Sequence, residues 1–420
     1  MVGKLVKEFF CFMNVKTYKR FADLAVKVGV NLQKGQDVVI YISTSQEELA
    51  KYLVLACYKN GARKVSIEWK NDAIQRLHYR HQGIKPLCKL EPWEIEKEKN
   101  RAKTVPCLIH VLDSDPDAFA SLNVDKINRA ITSRRKAIKP YRDMVDYINQ
   151  WTIISVPSKA WAQKVYPNAS LPDAQKKLWK AIIKCTRLDG KDPIKDWQDH
   201  IAYLKEKADK MNALDLKYLH YTSNNGTDLT LYLNPRHTWL SAREKNLKGI
   251  EFSANMPTEE VFTMPDKDRV DGIVYATKPL SYQGMLIEDF YIRFKKGRVV
   301  EAKARVGQEV LDRIINTDEG SHHLGEVALV PFDSPINECG VLFYETLFDE
   351  NACCHLALGH AFKNNFKRYE NMTEEDFKAN GYNDSIEHVD FMIGSEDLHI
   401  DGFDSKGNKT VIFDKGVWAI

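Results

Sequence analysis

Apolar residues in the first half of the chain recur at two alternating periods. Phe21, Leu24, Ala25 and Val28 lie at helical spacing between Tyr18 and Val28, and Gly29 follows as a stop. Val38, Val39, Ile40 and Ile42 form a short, nearly unbroken apolar run, which predicts a buried strand over Asp37–Ile42. Ser45 precedes a helical stretch, Glu47–Lys59, that closes at Gly61. Strands are expected again at Lys64–Trp69, Val105–Leu112 and Trp151–Val156, and helices at Asp173–Cys185 and Lys195–Lys210. Strands alternating with helices predict a mostly parallel sheet with helices on its faces.

Beyond about Asn212 the pattern changes. Leu216–Thr222, Asp228–Leu233, Gly272–Thr277 and Ile287–Ala304 are strand-like, and the last carries a hairpin signal at Lys295-Lys296-Gly297-Arg298. Helices are expected near Gly307–Ile315 and Ala352–Phe362. The fold class is α/β, with an N-terminal α/β domain over residues 1–212 and a C-terminal α+β domain over residues 213–420.

Composition narrows the function classes without naming one. Among 420 residues, 44% are hydrophobic and 28% charged, which excludes a disordered chain. Lys plus Arg number 61 against 58 acidic residues, and the basic clusters at Arg134-Arg135-Lys136, Lys176-Lys177 and Lys295–Arg298 are short and scattered. No nucleic-acid partner is expected from that distribution. No apolar run approaches the roughly 18–20 residues of a membrane helix, so no membrane partner is expected either. The eight cysteines contain no C-x-x-C pair and mostly sit in apolar runs, which suits reduced thiols in the cytoplasm. Glu8 interrupts the apolar patch within Met1–Val15 and no small-residue cleavage site follows, so a signal peptide is not expected there. The first half lacks G-x-G-x-x-G, and no nucleotide cofactor is expected.

The chemistry concentrates in the second half, which holds eight of the twelve histidines. In His388-Val389-Asp390, residues i and i+2 of a strand point to one face, where an imidazole and a carboxylate can share a cation. The same pair would also suit an exposed edge strand. Glu350 lies shortly before His355, in a position that a helix N-terminus would equally favour. Glu326 leads straight into the apolar run Val327–Val330, where a buried carboxylate would need a cation or donors, unless it sits at the solvent end. Glu259 and Glu260 lie between Pro257 and Pro265, either in a charged loop or in a site. Taken together, Glu260, Glu326, Glu350, His355, His388 and Asp390 suit two divalent ions about 3.5–4 Å apart that activate water for hydrolysis. A non-haem iron triad of the His-x-Asp…His kind fits poorly, because the one histidine after Asp390 is His399, nine residues on.

The segments Asn255–Pro265, His323–Pro331, Leu347–Gly359 and His388–Ser395 resemble the thermophilic-type metalloaminopeptidase family, the group of aminopeptidase T, aminopeptidase S and PepS. The likeness runs from about Tyr18 to the C-terminus. Its most specific part is ligand spacing: 66 residues from Glu260 to Glu326, 29 to His355 and 33 more to His388. The resemblance implies removal of N-terminal residues from peptide substrates by a homodimer. It implies two divalent metal ions per chain, zinc or cobalt, with manganese and magnesium as alternatives. The ligand roles carry over to Glu260, Glu326, Glu350, His355, His388 and Asp390, with Glu350 either binding or supporting. The proton acceptor carries over to Glu326 or Glu260. One position departs from the family: Phe362 stands where a catalytic tyrosine is usual. Two other readings therefore stay open: a weakened relative that binds metal or peptide, and a two-metal hydrolase of another amide bond.

Overall fold

A computed structural model describes residues 15–113, 115–119 and 121–420. The apolar patch before Val15 lies outside the described residues, as does Cys11. The chain forms two compact units. One contains the described residues up to Gln198 together with Arg243–Met256, and the other contains Asp199–Ala242 with Pro257–Ile420.

In the first unit, β1 (Asp37–Ser43), β2 (Lys64–Lys70), β3 (Cys107–Leu112) and β4 (Trp151–Ser155) form the expected parallel sheet in the order β2-β1-β3-β4. Val38, Ile40 and Ile42 of β1 and Cys107, Ile109 and Val111 of β3 are buried, which explains their near-continuous apolar character. The helices at Glu47–Lys59 and Leu171–Cys185 fall where the periodicity put them. The helical stretch from Val15 continues as a π-helical turn over Ala25–Gly29. The chain returns to this unit late. Ser253 N donates to Gly29 O at 2.8 Å, Ile153 N donates to Ala254 O at 2.7 Å, and Met256 N donates to Ile153 O at 3.0 Å. Asn255 thus pairs in parallel with Ile153 at the edge of β4. The break expected near Asn212 falls in the last turn of the helix Pro193–Ala213.

The second unit is built on antiparallel sheets. The hairpin Met285–Lys295/Arg298–Val306 turns at Lys296-Gly297, where Gly297 has φ 76°. It belongs to a nine-stranded sheet with Tyr218–Thr222 and Asp228–Leu233. A five-stranded sheet contains β5 (Leu240–Ser241), β6 (Val261–Thr263), β7 (Leu324–Leu329), β8 (His355–Gly359) and β9 (His388–Met392), in the order β9-β8-β7-β6-β5.

One expected helix is absent. Residues Ala352–Phe362 do not form a helix: the short helix Thr346–Asp349 and a 3-10 turn over Glu350–Ala352 give way to strand β8. Every residue of β8 is buried, so its apolar run has no alternation to mark it as a strand. The helix at Gln308–Ile315 forms as expected. Among the described residues no helix is long and apolar enough to cross a membrane.

Candidate metal centre

The register of the five-stranded sheet decides which side chains meet. Glu326 of β7 pairs with Ala357 of β8, which pairs with Asp390 of β9. Residues opposed in one row share a face, as do residues two apart in a strand. Glu326, His355, Ala357, Asp390 and His388 therefore project from the same face, with Gly359 opposite His388. Phe262 pairs with Ala328, which in turn pairs with His355, so Glu260, two residues before Phe262, reaches that face from the end of β6. The small Ala357 leaves room for the two flanking carboxylates to lean toward each other.

Two glycines shape the row. The ladder between β7 and β8 is irregular between Leu324 and Glu326, with Gly325 at the break. A Cβ on Gly325 would fall 2.2 Å from Gly359 O and 2.4 Å from His360 O. A bulge of this kind re-aims the neighbouring side chain, here Glu326. Gly359 has φ 99°, and a Cβ there would meet Glu387 O at 2.2 Å.

The result is a buried group of acids and imidazoles. His355 Nε2 lies 3.5 Å from Glu260 Oε2 and 3.5 Å from Glu326 Oε1. His388 Nε2 lies 3.7 Å from Glu326 Oε2 and 3.3 Å from Asp390 Oδ1. Glu326 thus turns one oxygen toward each imidazole. Two sets of ligand atoms, Glu260–Glu326–His355 and Glu326–His388–Asp390, each lie within 4.8 Å of one another. Glu350 belongs to neither set among the described residues; it interacts with Asp390, and Asn351 Nδ2 donates to its Oε1 at 3.4 Å.

The imidazoles are held for this purpose. His388 Nδ1 donates to His360 O at 2.7 Å, which turns Nε2 toward the carboxylates, where it would offer its lone pair once a cation displaces the Nε2 proton. His355 Nδ1 faces Cys353 O at 3.4 Å. His355 Nε2 and Asp390 Oδ1 are buried without a hydrogen-bond partner. Two orphaned polar atoms aimed into one cluster of oxygen and nitrogen ligand atoms fit a divalent cation with mixed O/N ligation.

Without a cation, protons must supply the counter-charge. Burial, reinforced by the charge of Glu326, pushes Glu260 up to about 8. Burial and the charges of Asp390 and Glu260 raise Glu350 well above the usual carboxylate range. For the histidines burial acts downward. It is outweighed at His355 by Glu326, Asp390 and Glu260, giving about 9, and at His388 by Asp390 and Glu326, giving about 10. Asp390 is raised by burial but held low overall by His388.

Supporting groups outside the expected set come from distant segments. Asn351 Oδ1 accepts from Glu259 N at 2.7 Å, while its Nδ2 donates to Leu347 O at 3.0 Å, tying the Glu259-Glu260 loop to the turn before β8. His200 Nε2 lies 2.8 Å from Thr258 O and 3.6 Å from Glu259 Oε2. Asn351 stands beside Glu350 in the sequence and could have been suspected. His200, on a helix some sixty residues upstream of that loop, carries no local signal.

Residues 14–418 match the family model described as thermophilic metalloprotease (M29). The chain belongs to the thermophilic metalloprotease (M29) family. It is 43% identical to aminopeptidase AmpS of Bacillus subtilis, over 95% of this chain and 97% of that protein. It is 36% identical to aminopeptidase T of Thermus thermophilus, over 96% and 99%. The solved structure of wild-type AmpT from Thermus thermophilus matches with a TM-score of 0.89, covering 96% of this chain and 99% of that one. As an M29 member the chain is a hydrolase, a metal-dependent aminopeptidase, and the two-part α/β fold is that of its relatives.

Two outcomes follow for the cluster. Ala357→Leu fills the gap between Glu326 and Asp390, so metal affinity read by calorimetry should fall by about 10–100-fold, a loss typical of disturbed ligand support, while Ala357→Gly should bind as wild type. The folded chain also holds the Glu260 and His355 protons more tightly than the unfolded chain does. The metal-free protein therefore loses stability as pH rises toward 8–9, while a cation replaces those protons more readily. The difference in Tm between metal-loaded and chelator-treated protein should widen between about pH 6 and pH 8; a constant or shrinking difference contradicts this.

Proposed function

We propose that the chain releases N-terminal amino acids from peptides at a dinuclear metal site. Glu326 would be shared by the two ions, with Glu260 and His355 holding one and His388 and Asp390 holding the other. The observation that carries this reading is the sharing of Glu326, which turns Oε1 toward His355 and Oε2 toward His388. Glu350 is assigned a supporting role through its contact with Asp390.

Divalent ions bound there, zinc or cobalt with manganese or magnesium as alternatives, would polarise the scissile carbonyl and bring the pKa of a water toward neutrality. The chain's own residues do the rest. Of the two expected proton acceptors, Glu326 commits both oxygens to the metal positions, so Glu260, also a buried carboxylate on the reacting face, accepts the water's proton. A carboxylate-rich wall favours a substrate ammonium, which suits a free peptide N-terminus. The His388–His360 hydrogen bond keeps the ring oriented through turnover.

Phe362 motivates the second reading, a metal- and peptide-binding relative with weak turnover. Its ring lies 4.8 Å from the His388 ring and packs edge-on to Phe262 at 6.4 Å. That places an apolar wall where a hydroxyl could steady a developing oxyanion, a contribution of about 10²–10³ in kcat. The family resemblance supports a homodimer, and the seven cysteines among the described residues, held as thiols, support a cytoplasmic setting.

The test is release of amino acids from short peptides with added zinc, cobalt or manganese. Wild type should hydrolyse free-ended peptides and reject N-blocked ones, and Glu326→Gln should lose at least about 10³ in kcat/KM. Phe362→Tyr should raise kcat. Silence of both wild type and Phe362→Tyr with every metal removes the peptidase reading, and cleavage of N-blocked amides favours a different amidohydrolase.

A further inference from the structure

The parallel sheet of the first unit carries a cavity that the metal centre does not use. Its strand order, β2-β1-β3-β4, reverses direction between β1 and β3. Connections leave opposite sides of the sheet at such a point, and in open α/β sheets the crevice beyond the C-terminal strand ends there is the usual ligand site. A cavity of about 920 Å³ lies at this position, lined by the segments that follow β1, β2, β3 and β4. Pockets of this size accommodate ligands of several residues' bulk.

The floor is polar and built. Asp113, just past β3, is only 8% exposed. Ser45 Oγ donates to its Oδ2 at 2.8 Å and Gln46 Nε2 donates to the same oxygen at 3.1 Å. Gln46 also reaches Pro157 O at 3.3 Å, joining the loops after β1, β3 and β4 around the carboxylate. Ser43 supplies a third side-chain hydrogen bond to the carboxyl, and all three partners are neutral, so none of them cancels its charge. Burial raises the pKa of this carboxyl, as expected of an acid held without a contacting cation.

The walls differ in character. Tyr18 and Trp179 meet edge to face, with centroids 6.1 Å apart, and both line the cavity. The carboxylate nearest in effect to this pair is Glu48, whose charge acts on Tyr18, and aromatic faces beside a carboxylate are a recurring recipe for an organic ammonium. Glu48, Asp72 and Asp115 line the cavity along with Asp113, and Lys159 and Lys176 face it too, so both signs of charge are present with acid in excess. A ligand with an ammonium at one end and a carboxylate at the other would satisfy both signs.

We propose that this cavity is a second ligand site, specific for short peptides with both termini free, with the ammonium on Asp113 and the carboxylate toward Lys159 and Lys176. The chemical class follows from the cavity's own charges and does not depend on the metallopeptidase mechanism.

The experiment uses the full chain carrying Glu326→Gln, so that peptide is not consumed, and reads tryptophan fluorescence during titration with Leu-Gly-Gly. A saturable change should appear and should vanish in Trp179→Phe. N-acetylation of the peptide, or Asp113→Asn, should each weaken this binding at least about 10-fold, as loss of a charge-assisted contact does. Lys176→Ala, at an exposed position, should weaken the free acid and leave the peptide amide unaffected. Absence of any Trp179-dependent change overturns the proposal. So does equal binding of the free and N-acetylated peptides, which needs no variant at Asp113. Because the signal arises at Trp179 without turnover, its failure leaves the metal-site reading standing, and the reverse also holds.

Discussion

The structure of the second unit turns on one electrostatic constraint. Three carboxylates and two imidazoles meet on one sheet face, with Glu350 against Asp390 from the adjoining turn, and Glu326 among them is only 5% exposed. Buried charge is tolerated only when it is paired, and the group contains more acid than base. Protons supply the deficit in the metal-free protein, holding Glu260 and Glu350 toward their neutral forms and both histidines toward their cationic forms. Divalent cations relieve the same deficit more completely, and the orphaned His355 Nε2 and Asp390 Oδ1 are the atoms that gain most from them.

The surrounding backbone is organised to meet that constraint. The register sets Glu326, Ala357 and Asp390 in one row, so the smallest side chain lies between the two acids. Gly325 and Gly359 permit close backbone approaches that a Cβ would prevent. Asn351 and His200 fix the loop that delivers Glu260, and His360 O sets the tautomer of His388. Each of these contacts acts on a side chain that touches the cluster, which is the support a preorganised site requires.

Much of this was legible in sequence, for identifiable reasons. Alternating periods marked the parallel sheet, and His388-Val389-Asp390 marked a strand with two ligand-type residues on one face. Glu326 stood out because a carboxylate preceded an apolar run. The strand at His355–Gly359 was misread as helix because burial on both sides removes the alternation that distinguishes the two. Its neighbour relations were invisible for the same reason, and Ala357 drew no attention. The return of Arg243–Met256 to the first unit, through backbone bonds to Gly29 and Ile153, leaves no compositional trace. Side-chain identity reported which groups could bind a cation; only register showed that Glu326 faces both histidines.

The most direct measurement of the central claim is metal stoichiometry by elemental analysis of the full chain after equilibration with zinc or cobalt and removal of free ion. Shared ligation by Glu326 requires two ions per chain in wild type and a loss affecting both positions in Glu326→Gln. One ion per chain in wild type, or two retained in Glu326→Gln, would contradict the bridging role.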